Sequence, residues 1–149
     1  MPTHAGHRST CALLITLAML AALGIHPAAT QVPESPNSIV AERFLDRTPH
    51  LSMWPSLATV PGLAGAKGRV VLRFVVDTLG MVVPRSLEVL TFSDSTALRP
   101  VAAFLAGSQF RPGERPPGHR VSALVRRTFL VAQYAIMVIG PRDTTVVRM

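Results

Sequence analysis

The feature that most constrains the fold of this chain is the run from Gly68 to Val76, in which Val70, Leu72, Phe74 and Val76 recur at every second position. A period of two places these four side chains on one face of an extended strand and Arg69, Val71, Arg73, Val75 and Asp77 on the other. Asp77, Thr78, Leu79 and Gly80 follow at once. Aspartate can bond its own backbone and glycine can take a positive φ, so the run is expected to end in a turn. A parallel partner would need a crossover of a dozen residues or more, for which a four-residue turn leaves no room, so the next strand returns antiparallel. It is broken at Pro84 and has its better half from Leu87 to Phe92.

Ser93, Asp94, Ser95 and Thr96 then offer N-caps for a helix whose apolar face carries Leu98, Val101, Ala102 and Leu105. Pro100 must fall in its first turn, and Gly107 is the natural stop. After Phe110, the prolines at 112, 116 and 117 make Arg111 to Gly118 a turn-rich loop. A third strand spans Arg120 to Ala132, with Val121, Ala123, Val125, Phe129 and Val131 on one parity and Arg126 and Thr128 on the other. Arg127 interrupts the apolar parity and is expected to mark a bulge, an edge position or a side chain that snorkels outward. Tyr134 to Ile139 adds a fourth strand before Gly140 and Pro141. Upstream, a short helix from Ser38 to Leu45 would use Ile39, Val40, Phe44 and Leu45 as its apolar contacts. The expected class is α+β, a small antiparallel sheet of three to four strands packed against one or two helices.

The N-terminal residues follow a different grammar. A polar start carrying Arg8 and two histidines precedes an uncharged run from Cys11 to Ile25, then Pro27, Ala28, Ala29 and Thr30. This is the pattern of a signal peptide or short signal anchor over residues 1–30, and the run is shorter than the roughly 20 residues of a comfortable transmembrane helix. Export places the chain in the periplasm, either soluble after cleavage near Thr30 or Gln31 or attached to the inner membrane. The single cysteine, Cys11, lies within this segment, so a cleaved chain would have no disulfide or thiolate metal site. The formal charge is +7, and losing residues through Ala29 removes Arg8 and no acid, leaving +6. Such a balance favours anionic partners. Scattered arginines without interleaved stacking aromatics argue against nucleic acid, leaving an anionic envelope surface or acidic protein segments.

Catalytic constellations are hard to build from what remains. With His4, His7 and His26 in the targeting segment, only His50 and His119 are left, without metal-ligand spacing, and the eight carboxylates are spread singly. There is no glycine-rich phosphate loop or nucleophile elbow. No enzyme activity, cofactor or metal is therefore expected. An enzyme would have to draw on His119 or Asp77, and the turn role is favoured for Asp77.

Several residues in succession carry a resemblance: Trp54-Pro55, Gly68 before Val70, Phe74-Val75-Val76-Asp77 with Gly80, a helix closing on Phe110-Arg111-Pro112, Gly118 before Val121, and Thr128-Phe129. This order resembles the C-terminal domain family of TonB-type energy transducers over about eighty residues, more than half of the chain. The resemblance implies a module that grips the TonB box of an outer-membrane receptor by strand addition and works with ExbB/ExbD-type motor proteins. It places the docking edge at Val121 to Val131 and the partner-binding residues at Trp54, Pro55, Arg120, Val121, Ala123, Val125, Arg126 and Arg127. Arginines there would guard an edge from aggregation or attract an acidic segment. A homodimer is left open.

The chain departs from the family in three respects. Trp54 stands where Tyr is usual, the long Pro-rich spacer is missing, and there is no clear spanning anchor with the family's buried polar motif. The expected division is a targeting segment over 1–30, a Pro-containing lead-in over 31–53, the TonB-like domain over 54–139 and a tail over 140–149. A structural or adaptor domain uncoupled from any motor is the competing function.

Overall fold

A computed structural model of the chain describes residues 38–149. The targeting segment, Cys11 and the first residues of the lead-in lie outside the described residues. Nine strands and one α-helix follow in order: β1 (Ile39–Ala41), β2 (His50–Met53), β3 (Gly68–Val76), β4 (Glu88–Phe92), α1 (Leu98–Ala106), β5 (Gln109–Arg111), β6 (Gly113–Glu114), β7 (Arg120–Ala132), β8 (Ala135–Ile139) and β9 (Thr144–Arg148). The main sheet runs β4-β3-β7-β8-β9, with β1 and β6 also paired to β7, while β2 and β5 form a separate two-stranded sheet. The class is α+β, as expected, but the sheet is larger than three to four strands.

The alternation in β3 does what its period dictates. Val70, Leu72, Phe74 and Val76 are buried in one hydrophobic cluster, joined from β7 by Ala123, Val125, Phe129 and Val131, and from β8 and β9 by Ile136, Val138 and Val147. Phe74 meets Phe110 with ring centroids 5.7 Å apart and planes tilted by 57°, a favourable aromatic geometry. The turn after β3 forms around Asp77, whose Oδ1 accepts from the amides of Leu79 and Met81, both at 2.9 Å. Gly80 has φ +86° there, and its carbonyl accepts from the Phe110 amide at 2.8 Å.

The helix starts late because Asp94 caps a 3-10 turn, Ser95–Ala97, that precedes it. Pro100 then sits in the first turn of α1, where its missing N–H costs no hydrogen bond. Its packed face is Pro100, Val101, Phe104 and Leu105. Ala102, expected on that face, is exposed, and Phe104 takes its place. The buried positions Ala97, Pro100, Val101, Phe104 and Leu105 stand at i, i+3, i+4, i+7 and i+8, one helical face that leaves Ala102 outside it.

Three further expectations are corrected. Residues 38–45 do not form a helix: Ile39–Ala41 pairs in parallel with Ser122–Leu124, and Glu42–Phe44 is a 3-10 turn. Val40 and Leu45 are buried as expected, but Ile39 and Phe44 are exposed. The lead-in is thus part of the fold, with Val40, Leu45 and Leu51 in the core. The supposed tail supplies β9, paired to β8 from Ala135↔Arg148 to Ile139↔Thr144. The loop after Phe110 contains the short strand β6, paired to Arg120 and Val121.

Candidate functional site

The expected docking edge is not an edge. On one side β7 pairs with β3 from Ala123 to Val131. On the other it pairs with β1 through Ser122–Leu124 and with β8 through Thr128–Ala132, while β6 pairs with Arg120–Val121, beyond the stretch that β3 covers. Its length explains this: thirteen residues at about 3.3 Å each give room for several short partners in series. Between Ala123 and Val131, only Val125 to Arg127 lack a second neighbour, so no continuous edge is left along β7 for a partner strand.

The individual residues separate accordingly. Ala123 and Val125 point into the core, and Val121 packs half-buried against it. Arg120 and Arg126 are exposed. Trp54 is exposed, and Pro55 lies against Gly107, where an added Cβ would come within 3.1 Å of the proline ring. Trp54 and Pro55 follow β2 in the small sheet, so they and β7 do not form one contact row.

Arg127 is the largest correction. Its register is regular, opposite Leu72, with no bulge in β7. Its side chain is 1% exposed, on the core side that its parity dictates. Nη1 donates to Glu42 Oε2 at 2.8 Å and to the Arg126 carbonyl at 2.8 Å. Nη2 pairs with Glu42 Oε1 at 2.7 Å and donates to the Pro49 carbonyl. Gly140 packs on the guanidinium, since a Cβ there would stand 3.1 Å from Nε. This buried ion pair, with one hydrogen bond and a second close contact, ties the turn after β1 to the centre of β7. Alternation alone could have placed Arg127 inside, but nothing in the sequence named Glu42, 85 residues away, as its partner.

The main strand order ends in β4 and β9, and β1, paired only to β7, leaves a further edge of just three residues. β4 carries a bulge: Val71 and Leu72 oppose Thr91 and Val89, leaving Leu90 as the extra residue. A bulge disrupts the outer ladder and blunts an edge. β9 has an unbroken five-residue register and no proline, and its charge is confined to Arg148 at one end. It is therefore the edge better suited to receive another strand. Sequence reasoning missed it because the apolar signal of Thr144–Arg148 is confined to Val146 and Val147.

Two carboxylates show clear electrostatic shifts, and both are turn residues. The Asp94 carboxyl is held below its ordinary value of 3.8, first by the Thr96 hydroxyl and then by the Thr96 amide. The Glu114 carboxyl is lowered chiefly by the Gly118 amide that donates to it at 3.0 Å. His119 is exposed, and the Asp77 carboxylate is occupied by turn amides. Among the described residues, no three of His, Cys, Asp and Glu converge as a ligand set for a metal ion, and no helix is long and apolar enough to cross a membrane. Compared with protein-family models, curated proteins and solved structures, the chain gives no match.

Proposed function

We propose that this chain is a periplasmic, TonB-like protein-binding module that takes an extended segment of an outer-membrane receptor as an added strand, as part of energy transduction, with β9 as the receiving edge. The observation that carries this is the unguarded ladder of Thr144–Arg148, paired on one side only and free of bulge or proline. Strand addition derives affinity from backbone hydrogen bonds and register from alternate side chains, so an edge of five residues is sufficient. The succession of motifs from Trp54 to Phe129 supplies the family expectation, and ExbB/ExbD-type proteins are the motor it implies.

The test uses synthetic TonB-box peptides and hydrogen exchange of the full chain. Peptide binding should slow the outward amides of Thr144–Arg148 and leave those of β4 unchanged. Neighbouring amides on a strand point to opposite sides, so one of Thr145→Pro and Val146→Pro removes an outward donor while the other breaks the β8–β9 ladder. The variant that keeps its unfolding midpoint should lose binding. Unchanged peptide affinity in that folded variant overturns the proposal.

One observation favours the adaptor alternative. The first strand among the described residues begins at Ile39, and 13 residues separate it from an anchor ending at Ile25. Fully extended, these reach about 45 Å, and the fold would stay close to the inner membrane. An intact mass beginning near Thr30 or Gln31 in the soluble periplasmic fraction would establish the uncoupled form; a full-length membrane-bound mass would support coupling to a motor.

A further inference from the structure

The contiguous core takes its sheet residues from one face only. The opposite face buries Val71 and Val75 of β3 but is otherwise half-buried or exposed. Registers place Arg69, Leu130, Met137 and Val146 side by side across β3, β7, β8 and β9 in one row of it. Leu130 and Val146 are 39% and 43% exposed. The same face carries Arg73 and Arg126, directly opposite each other, and Arg148. Like charges in a cross-strand pair are destabilising. Glu88 on β4 neutralises Arg73 at 2.6 Å, whereas Arg69, Arg126 and Arg148 have no ion pair among the described residues.

We infer that this face is a docking surface for an anionic phospholipid bilayer. The arginines are spread over β3, β7 and β9, three strand spacings or about 14 Å apart at the extremes. They therefore match an area of phosphates rather than a line. An added peptide strand would touch only the rim of the face at β9. A second copy would bring the same unneutralised arginines against these, which disfavours a face-to-face dimer. On a bilayer, the guanidinium groups meet lipid phosphates while Leu130, Met137 and Val146 press into the headgroup boundary. The inference does not depend on strand addition. A sheet lying on a membrane keeps its β9 backbone edge pointing sideways and open.

The experiment is co-sedimentation of the full chain with vesicles of phosphatidylcholine alone or of equimolar phosphatidylcholine and phosphatidylglycerol. Preferential binding to the anionic vesicles, weakened by added salt, is expected. Each arginine near such a surface is worth about fivefold, so the variant R69Q/R126Q/R148Q should lose that preference by about a hundredfold. The exposed arginines Arg99, Arg111 and Arg115 lie in α1, in the small sheet and in the loop before β7, and R99Q/R111Q/R115Q, with the same change of charge, should keep most of it. Unfolding midpoints check that both variants fold, and single Arg→Gln variants replace the triple if it does not. Equal losses in the two triples, or none in the first, overturn the inference. So does an arginine-dependent binding of polyglutamate without binding to anionic vesicles, which would assign the face to an acidic polypeptide instead.

Discussion

Arg127 is a guanidinium placed by strand parity among valines and phenylalanines, and it is tolerated there because both of its Nη groups have oxygen partners. Glu42 takes both Nη groups, while the Arg126 and Pro49 carbonyls take further protons. Removing one member of such a pair leaves a buried charge without its partner, so Glu42→Ala should lower stability by about 3 to 5 kcal/mol in urea unfolding. The double replacement Glu42→Leu with Arg127→Met should lie closer to the native protein than either single change, because it leaves no buried charge. Asp94 makes a different kind of statement. Its folded carboxyl is lowered by the Thr96 hydroxyl and amide, so near pH 4 the unfolded chain binds more protons there than the folded one. The stability it contributes is present above the ordinary value of 3.8 and is lost as pH falls through the lower folded value. Asp94→Asn should flatten the acid limb of the stability profile and leave the neutral limb nearly parallel to that of the native protein.

At the scale of elements, two glycines of similar backbone angle test what holds the turns in place. Gly80 has φ +86°, and a Cβ there would run into the Phe110 carbonyl, which is backbone and cannot swing aside. Gly118 has φ +90° with nothing within 4 Å of such a Cβ. Gly118→Ala should therefore cost only the left-handed penalty, about 1 kcal/mol. Gly80→Ala should cost clearly more, about 3 kcal/mol, because it also pushes β5 away from the β3 turn. Chemical denaturation of both variants measures the difference. The strands and α1 were legible where one local rule was enough. Period two marked β3 and β7, a continuous apolar run marked β8, and the Asp77–Gly80 turn and the Pro100 position marked two boundaries. Residues 38–45 misled because Ile39, Val40, Phe44 and Leu45 suit a helical face as well as they suit a strand followed by a turn. The register of Ile39–Ala41 against Ser122–Leu124 decided for the strand.

At the scale of the whole molecule, the candidate site moved because edges are a property of the assembled sheet. A strand's own residues state its period and polarity. They do not state whether a second or third strand will come to lie beside it. β7 contains the most persistent alternation in the chain and for that reason became the strand most others pair with, leaving the outer positions to β4 and β9. The arginine face arose in the same way: Arg69, Arg73, Arg126 and Arg148 are far apart in sequence, and only the registers bring them together. The sequence by itself determined the α+β class, the first hairpin, the limits of β7 and the basic charge, since each rests on local periodicity, turn chemistry or composition. Tertiary structure alone decided the sheet's edges, the Glu42–Arg127 pair and the exposed face, because these depend on contacts between residues that no local pattern connects.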